Sequence, residues 1–418
     1  MFQRQGPAAY KANLQGTQKV CEAIGNPQHH LKFVHVAGTN GKGTVSHMVA
    51  AGLQSAGHKV GLFTSPHLVD FRERIRVNGS CITERGVVDF VERWQLGASD
   101  WGTPSFFELT FGMALDWFKR EQCDIVVLET GMGGRLDSTN IIPTAEVCCL
   151  TNVGMDHQAF LGGDIRAIAR EKAGIFKDAV PVVLGAMRPE AQAVAIEVAL
   201  TTSSEVHFAK DVGSIPSPPL SAPKAGDSWT DTLNRPTACL VLQLLHRRGW
   251  AMLDSDLVEG LWRHQKWNGQ RGRWQEVPIQ GGPLVVLDGA HNVDGVTHAV
   301  EQCMAKVAQR KGRLHVVWGA VSDKDQEDVL ALLPDSGIYH WCAADIPRAL
   351  PVLQLANLRV GLQGTVCGSP TDALNHALSQ ASPEDVVWVG GSLFVVGDVL
   401  KGASNSVADW PEEASQTT

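Results

Sequence analysis

Short apolar, β-branched runs recur along the chain and alternate with stretches of helical spacing. The runs are FVHVA (33–37), KVGLF (59–63), CDIVVLE (123–129), AEVCCLTNV (145–153), VPVVLG (180–185), PLVVLDG (283–289), RLHVVWG (313–319) and DVVWVGG (385–391). Strands that alternate with helices in this way form parallel sheets covered by helices. The sequence therefore predicts an α/β protein whose ligands lie beyond the carboxyl ends of the strands.

Composition limits the class of protein further. The chain has 418 residues, of which 44% are apolar and 19% charged, so it has room for two domains. A net charge of -8 argues against nucleic acid or an anionic membrane as the main partner. The nine cysteines are scattered without a CxxC pair, and no run approaches 18 apolar residues. We therefore expect a soluble, cytoplasmic protein with reduced thiols.

Two polar segments interrupt the pattern of strands and helices. Residues 213–229 are rich in Pro and Ser and predict a surface loop, whereas residues 264–283 separate two groups of strands. We place the domain boundary in the second segment, giving domains 1–272 and 273–418. The polar tail from about Gly402 is expected to be frayed.

One loop between a predicted strand and a predicted helix is rich in glycine. It reads GTNGKGT (38–44) and precedes a helix expected from Thr44 to about Ala56. Glycines let backbone N–H groups face a phosphate, the helix N-terminus adds positive potential, and a lysine supplies charge. The spacing departs from GxxxxGK[ST], so the competing interpretation is a glycine-rich connector with a solvated lysine. The glycines, Lys42 and the Thr44 hydroxyl, which can reach a magnesium ion, together suit a nucleotide triphosphate.

Later strands also end in side chains that suit metal or phosphate chemistry. Glu129 ends the strand CDIVVLE, where a carboxylate can hold magnesium or remain a solvated cap. Asp156 and His157 follow the next strand, where a single histidine is more often structural. Lys172 lies in a predicted helix, and spacing alone predicts a surface lysine there.

Seven motifs in order along the chain together resemble one family. They are GTNGKGT (38–44), TSPHL (64–68), ERIRVNG (73–79), ETGMGGRLDSTN (129–140), DHQAFLG (156–162), REKAGIF (170–176) and LDGAHN (287–292). This combination resembles the folylpolyglutamate synthase and dihydrofolate synthase family within the Mur ligase superfamily. The resemblance extends from about Tyr10 to about Leu400.

The resemblance implies a specific α/β architecture. We expect an N-terminal P-loop ATPase domain with a mostly parallel sheet and a smaller, Rossmann-like C-terminal α/β domain. Residues 1–272 would bind ATP and the pterin, and residues 273–418 would form the glutamate-ligase domain. ATP and the substrates would occupy the cleft between the domains.

The resemblance also implies a metal site. Besides ATP it implies two magnesium ions, one held by Ser65 and Glu129 and a second by His157 with Glu129. Lys172 corresponds to a lysine that members of the family carry as a carbamate, which would make it an anionic metal ligand. A monovalent cation is implied as well. The expected catalytic groups are Lys42, Lys172 and His157.

Within the glycine-rich loop, the resemblance implies nucleotide contacts at Asn40, Gly41, Lys42, Gly43 and Thr44. Further nucleotide contacts are implied outside this loop. Asn234 corresponds to a nucleotide-contacting asparagine, although residues 207–236 carry no clear family motif. Arg273 and Asp288 would contact the nucleotide from the second domain. Arg273 corresponds to the arginine of a Pro-Gly-Arg motif, whose proline is replaced here by Arg271.

The pterin is expected to contact three segments that are distant in sequence. The predicted pterin contacts are Leu14, Gln15, Gly16, Thr17, Ser105, Phe106, Phe107, Glu108, Leu136, Asp137 and Ser138.

His291, beside Asp288, has two interpretations of our own: it neutralises phosphate charge, or it caps its loop.

These features predict an ATP-dependent ligase that works through an acyl phosphate. The expected reaction adds L-glutamate to dihydropteroate, forming dihydrofolate, and to reduced folates, forming polyglutamates; the protein is expected to be a monomer. One alternative is a folylpolyglutamate synthase without dihydrofolate synthase activity. Others are a Mur ligase for a UDP-linked precursor, which TSPHL, ERIRVNG and SFFE disfavour, and an ATP-hydrolysing switch without ligase activity.

Overall fold

A computed structural model describes most of the chain. The described residues are 13–97, 101–155, 158–213, 215–216, 228–322, 326–359, 361–362 and 364–403. They form two compact units that divide between Gln270 and Arg271. The boundary predicted from the sequence lies two residues later.

The larger unit contains a mostly parallel sheet. Its strands follow the spatial order β4-β3-β2-β5-β1-β6-β7-β8, in which β3 runs antiparallel to β2 and β4 antiparallel to β3. Every other neighbouring pair is parallel. The strands are β1 (Phe33–Ala37), β2 (Val60–Phe63), β3 (Ile75–Val77), β4 (Ser80–Cys81), β5 (Ile125–Glu129), β6 (Val147–Leu150), β7 (Val182–Leu184) and β8 (Val206–Phe208).

Helices cover both faces of this sheet. They are α1 (Gln15–Ala23), α2 (Lys42–Ser55), α3 (Glu84–Leu96), α4 (Phe106–Arg120), α5 (Gln158–Leu161), α6 (Ile165–Ala173), α7 (Pro189–Thr201), α8 (Trp229–Arg247) and α9 (Asp254–Asn268). Short 3₁₀ helices occupy Pro27–His29, Phe71–Arg74, Ser138–Ile141 and Ala209–Asp211.

Strand β1 lies at the centre of the sheet and is buried along its whole length. Its side chains alternate between two apolar clusters, with Phe33 and Ala37 in one and Val34 and Val36 in the other. This is the period-two alternation of a strand covered on both faces, and it explains why its sequence is an uninterrupted apolar run.

Helices α2 and α9 pack at unusually close range. A Cβ on Gly260 of α9 would lie 2.7 Å from the backbone nitrogen of Gly52 and 2.7 Å from the carbonyl oxygen of Met48, both in α2. Only a residue without a side chain allows this approach. The contact matters for function because α2 begins at the glycine-rich loop.

The smaller unit has a second sheet in the order β13-β12-β11-β14-β10-β9, parallel except for β9, which is antiparallel to β10. The strands are β9 (Gln275–Pro278), β10 (Leu284–Leu287), β11 (Leu314–Trp318), β12 (Ile338–Trp341), β13 (Gly364–Val366) and β14 (Val386–Gly390). Its helices are α10 (Val293–Arg310), α11 (Glu327–Ala331), α12 (Val352–Asn357), α13 (Pro370–Gln380) and α14 (Leu393–Ala403).

Buried histidines lie in both sheets. His35 in β1 is fully buried beside the hydroxyl of Thr139 at 2.9 Å, and burial lowers its pKa to about 3. His340 in β12 is also fully buried between His315 and His376, and burial lowers its pKa to about 4. Both side chains are therefore neutral near pH 7.

The predicted α/β fold is confirmed, and each of the eight predicted runs contains a strand. The predicted break at residues 264–283 contains the division between the two units, but it is shorter than expected, because α9 extends to Asn268 and β9 begins at Gln275. The predicted surface loop at 213–229 and the tail lie largely outside the described residues. All nine cysteines are unpaired. No helix in the described segments is long and apolar enough to cross a membrane.

Candidate active site

Four neighbouring parallel strands of the larger sheet end at the same edge. In the order β2-β5-β1-β6 they lead into Ser65, Glu129, the loop Gly38–Gly41 and Thr151. Strand β5 lies between β1 and β2, so the chain crosses over here, and such a crossover opens a crevice for ligands. The predicted phosphate and metal residues therefore meet at one edge.

The glycine-rich loop is held by the segment that follows β6. The Asn152 side-chain oxygen accepts hydrogen bonds from the backbone nitrogens of Asn40 at 2.7 Å and Thr39 at 3.2 Å. The Thr151 hydroxyl donates to the Asn40 carbonyl oxygen at 2.6 Å. The sequence analysis did not single out Thr151 or Asn152, because neither residue lies within a phosphate-binding motif.

Gly41 forms the turn between the loop and helix α2. Its φ of +81° lies in the left-handed region, which favours glycine. A Cβ there would lie 2.1 Å from the side-chain oxygen of Asn234, which is buried in α8 and donates to the carbonyl oxygen of Thr230. The structure thus brings Asn234 directly against the predicted phosphate loop.

Two side chains in the first turn of α2 form hydrogen bonds, one with the glycine-rich loop and the other with Gln270. The Lys42 ammonium donates to the carbonyl oxygens of Gly38 at 3.1 Å and Thr39 at 3.2 Å. The Thr44 hydroxyl is buried and accepts from Gln270 at 3.1 Å. Helix α2 starts at Lys42, two residues before the expected position.

Glu129 is buried at the end of β5, so a solvated cap is the wrong interpretation. Its carboxylate accepts from the Ser65 backbone nitrogen at 2.9 Å, and a Cβ on Gly43 would lie 3.5 Å from it. The Ser65 hydroxyl forms no hydrogen bond with any described residue. One carboxylate and one hydroxyl are oxygen ligands of the kind that magnesium takes from a protein when substrate phosphates supply others.

The described residues contain no cluster of three or more His, Cys, Asp or Glu side chains that could hold a metal ion. His157, predicted as a metal ligand, lies outside the described residues, as does Asp156.

Lys172 is a buried lysine of α6, only 3% exposed. The surface position predicted from spacing alone is therefore wrong. Its ammonium nitrogen donates to the Gly38 carbonyl oxygen at 2.8 Å, the same oxygen that Lys42 contacts. A buried lysine is rare without a partner, and here α6 brings it to the base of the phosphate loop.

The three predicted pterin-contacting segments also meet. The Thr17 hydroxyl of α1 donates to the Ser138 hydroxyl at 2.9 Å. A Cβ on Gly16 would lie 2.1 Å from the carboxylate of Glu108, which caps the start of α4 together with Ser105. Leu14 precedes the first turn of α1, which begins at Gln15.

Asp137 shapes the loop after β5. Its carboxylate accepts hydrogen bonds from the backbone nitrogens of Gly131, Met132 and Thr139 at 2.9–3.0 Å and from the Thr139 hydroxyl at 2.6 Å. Burial raises its pKa although these bonds lower it. Both oxygens are therefore used to hold the loop, and Leu136 and Ser138 flank a fixed point.

Predicted nucleotide contacts of the smaller unit lie at the end of its strand β10. The buried Asp288 carboxylate accepts from the backbone nitrogens of Trp274 and Ala290, each at 2.8 Å. It thereby fixes the turn that carries Arg273, which is partly exposed. The His291 Nδ1 donates to the Gly289 carbonyl oxygen at 2.7 Å, which agrees with the loop-capping interpretation.

Comparison with known proteins identifies both units. Residues 36–214 match the model of the Mur ligase middle domain, and residues 272–393 match that of the Mur ligase, glutamate ligase domain. The chain is 32% identical to the folylpolyglutamate synthase of Lacticaseibacillus casei over 90% of this chain and 91% of that protein.

Solved structures agree with the sequence comparison. Escherichia coli FolC in complex with DHPP and ADP superposes with a TM-score of 0.81 at 29% identity, covering 95% of this chain and 94% of that one. A bifunctional folylpolyglutamate synthase/dihydrofolate synthase with Mn, AMPPNP and L-glutamate bound gives 0.80 at 30% identity, covering 94% and 95%.

The glycine-rich loop lies within the match to the middle domain, and all six strands of the second sheet lie within the match to the glutamate ligase domain, so both units are of the Mur ligase class. Within that class, the chain belongs to the folylpolyglutamate synthase and dihydrofolate synthase family. The predicted family and enzyme class, an ATP-dependent ligase, are confirmed.

Proposed function

We propose that this protein joins L-glutamate through an amide bond to the carboxylate of dihydropteroate, and by γ-linkage to reduced folates, with ATP as the energy source. A carboxylate does not react with an amine near neutral pH unless it is activated. The carboxylate oxygen would attack the γ-phosphorus of ATP and ADP would leave. The glutamate amine would then attack the acyl phosphate, lose a proton and release phosphate.

One observation carries the proposal: the predicted phosphate and metal residues adjoin the predicted pterin segments in the larger unit. Glu129 and Gly131 are separated by one residue, and a Cβ on Gly131 would lie 2.5 Å from the ring of Phe107. A ligand held against Phe107 can therefore extend toward Glu129, which suits a pterin whose carboxylate must meet the γ-phosphate.

The residues of the phosphate loop act mainly by position and charge. Phosphoryl transfer needs positioning and neutralisation more than covalent help from the protein. The backbone N–H groups at the start of α2 and the Lys42 ammonium would bind the phosphates. Asn234 would contact the nucleotide beside Gly41, and we propose Arg273 and Asp288 as further nucleotide contacts.

Glu129 and Ser65 would hold magnesium, which neutralises the charge of the phosphates when it is bound. We propose His157 as a further ligand and carbamylated Lys172 as another. A carbamate keeps one N–H on the lysine nitrogen, so the hydrogen bond to the Gly38 carbonyl oxygen is compatible with the modification. High-resolution density or ¹³C labelling with bicarbonate tests it.

The finer properties of the protein are also proposals. Unpaired cysteines are typical of a reducing compartment, which supports a cytoplasmic location. We propose a monomer, which light scattering would test.

The experiment measures ADP release with ATP, magnesium and L-glutamate, using 7,8-dihydropteroate or tetrahydrofolate as acceptor, and identifies products by mass. Gain of one glutamate on each acceptor is the expected result. Turnover of tetrahydrofolate alone would favour the alternative of a folylpolyglutamate synthase only. Lys42→Ala should abolish turnover, whereas Lys59→Ala, at a partly buried ion pair with Glu121, should not.

A further inference from the structure

Arg74 is a buried arginine that none of the predicted site assignments uses. It lies in the 3₁₀ turn Phe71–Arg74, directly before β3, and is 8% exposed. Its Nε donates to Nδ1 of His67 at 2.9 Å. An arginine has five N–H donors and no acceptor, so one hydrogen bond leaves most of its donors to be explained.

The charge of Arg74 has no ion pair in the described part of the chain. The carboxylate of Glu73, the preceding residue, accepts hydrogen bonds from the backbone nitrogens of Leu68, Val69 and Asp70. Burial lowers the pKa of Arg74 to about 10, against the opposing influence of Glu129 and Glu73. A largely buried guanidinium with no ion pair and with hydrogen-bond donors still to be used is a candidate for binding an anionic ligand.

The guanidinium also has a fixed orientation. It lies over the ring of Phe106 with its Cζ 5.3 Å from the ring centre. The ring of Phe106 in turn packs against that of Phe71, with 5.8 Å between the two ring centres. The stack on one face and the bond from Nε leave the two terminal nitrogens as the remaining donors. Neither forms a hydrogen bond with a described residue, so the two-pronged edge that matches a carboxylate remains available.

Arg74 lies between the predicted pterin segment and the predicted metal residues of the proposed site. Phe106 belongs to the predicted pterin segment, and His67 lies two residues after Ser65, whose backbone nitrogen contacts Glu129. A pteroyl substrate has one group that must pass from the pterin side to the phosphate side, namely its carboxylate. That carboxylate is an anion that must approach the anionic γ-phosphate.

We propose that Arg74 binds the acceptor carboxylate through its terminal nitrogens and holds it for attack on the γ-phosphate. This inference rests on the proposed function. His67 is then a positioning residue: because its Nδ1 accepts from Arg74, the neutral ring carries its proton on Nε2 and orients the guanidinium. Incoming glutamate and the nucleotide phosphates are the competing ligands.

The test compares two ligands in binding measurements by calorimetry without ATP: 7,8-dihydropteroate and its carboxamide, which lacks the negative charge. The unaltered protein should bind the carboxylate at least tenfold more tightly than the carboxamide, because hydrogen bonds to a charged group raise affinity by about 10- to 100-fold. In Arg74→Gln this preference should disappear, so that both ligands bind with about equal affinity. The affinities for the carboxamide and for ATP should stay within about twofold of those of the unaltered protein.

Two further variants keep the test independent of folding. Arg74→Lys keeps the charge without the two-pronged geometry and should retain part of the preference. Arg72→Gln, two residues earlier in the same turn and paired with Asp70, should leave the preference unchanged. Melting temperatures of all variants show whether they fold.

Each result bears on a different claim. If Arg74→Gln keeps the full preference for the carboxylate, or weakens only ATP or glutamate, the inference is wrong and the proposed function stands. An equal loss of both pteroyl ligands would make Arg74 a structural residue of the pterin pocket. If the unaltered protein binds neither pteroyl ligand, the proposed function fails first.

Discussion

Replacing Gly41 by alanine should damage the phosphate loop in two separable ways. At φ +81° an alanine is strained by about 1–2 kcal/mol, because left-handed backbone crowds its Cβ. That Cβ would also lie 2.1 Å from the Asn234 side-chain oxygen, so Asn234 must move and lose its bond to Thr230. The lost bond adds about 0.5–1.5 kcal/mol.

Gly57, just beyond the other end of α2, provides a matched control. Its φ is +88°, and a Cβ there meets no atom within 4 Å. Gly57→Ala should therefore lower the free energy of unfolding by the strain alone, about 1–2 kcal/mol, whereas Gly41→Ala should lower it by about 1.5–3.5 kcal/mol. Urea titration measures the difference, and calorimetry measures ATP affinity, which should fall only for Gly41→Ala.

Removing the Asn234 side chain separates the effect of its clash with the new Cβ at position 41 from the effect of backbone strain. In an Asn234→Ala background the extra loss of Gly41→Ala over Gly57→Ala should disappear, because no side chain remains to be displaced. If the two glycine variants lose equal stability and equal ATP affinity, Asn234 does not pack against the loop as described. An extra loss that persists without Asn234 would refute the steric explanation.

Three other predictions address the metal site, the packing and the pH response. Glu129→Gln should abolish turnover while the melting temperature shows a folded protein; an active variant would refute its metal role. Gly260→Ala should lower the free energy of unfolding by about 1–3 kcal/mol through overpacking against α2, whereas Gly163→Ala, with no atom within 4 Å, should change it little by urea titration. Burial lowers the pKa of both His35 and His340, so the folded protein binds these protons more weakly than the unfolded chain does. The stability that each contributes is complete above pH 6.5 and is lost as pH falls toward about 3 for His35 and about 4 for His340. From pH 7 to pH 5 each should cost about 2 kcal/mol, and a urea titration showing equal stability at both values would contradict this.

Sequence periodicity was enough for the strands that are covered on both faces. FVHVA and CDIVVLE are apolar runs, and they form the buried central strands β1 and β5. Strand β9, with the sequence QEVP, was missed because it lies at a sheet edge, where one side faces solvent and Pro278 is tolerated.

The site divides in the same way between local and distant information. The phosphate loop is one continuous segment, so its glycines and Lys42 could be read directly from the sequence. Burial of Lys172 depends on how α6 packs against Gly38, which is distant in sequence. Local spacing therefore predicted an exposed lysine where the structure has a buried one. Arg74 was missed for the same reason, since its stack on Phe106 joins two distant segments.

The measurement that tests the central claim most directly follows oxygen from the acceptor into phosphate. Dihydropteroate labelled with ¹⁸O in its carboxylate would be incubated with the protein, ATP, magnesium and L-glutamate, and the released phosphate analysed by mass. An acyl phosphate predicts one ¹⁸O atom transferred to phosphate for each amide bond formed. Phosphate that carries no label despite amide formation would contradict the account.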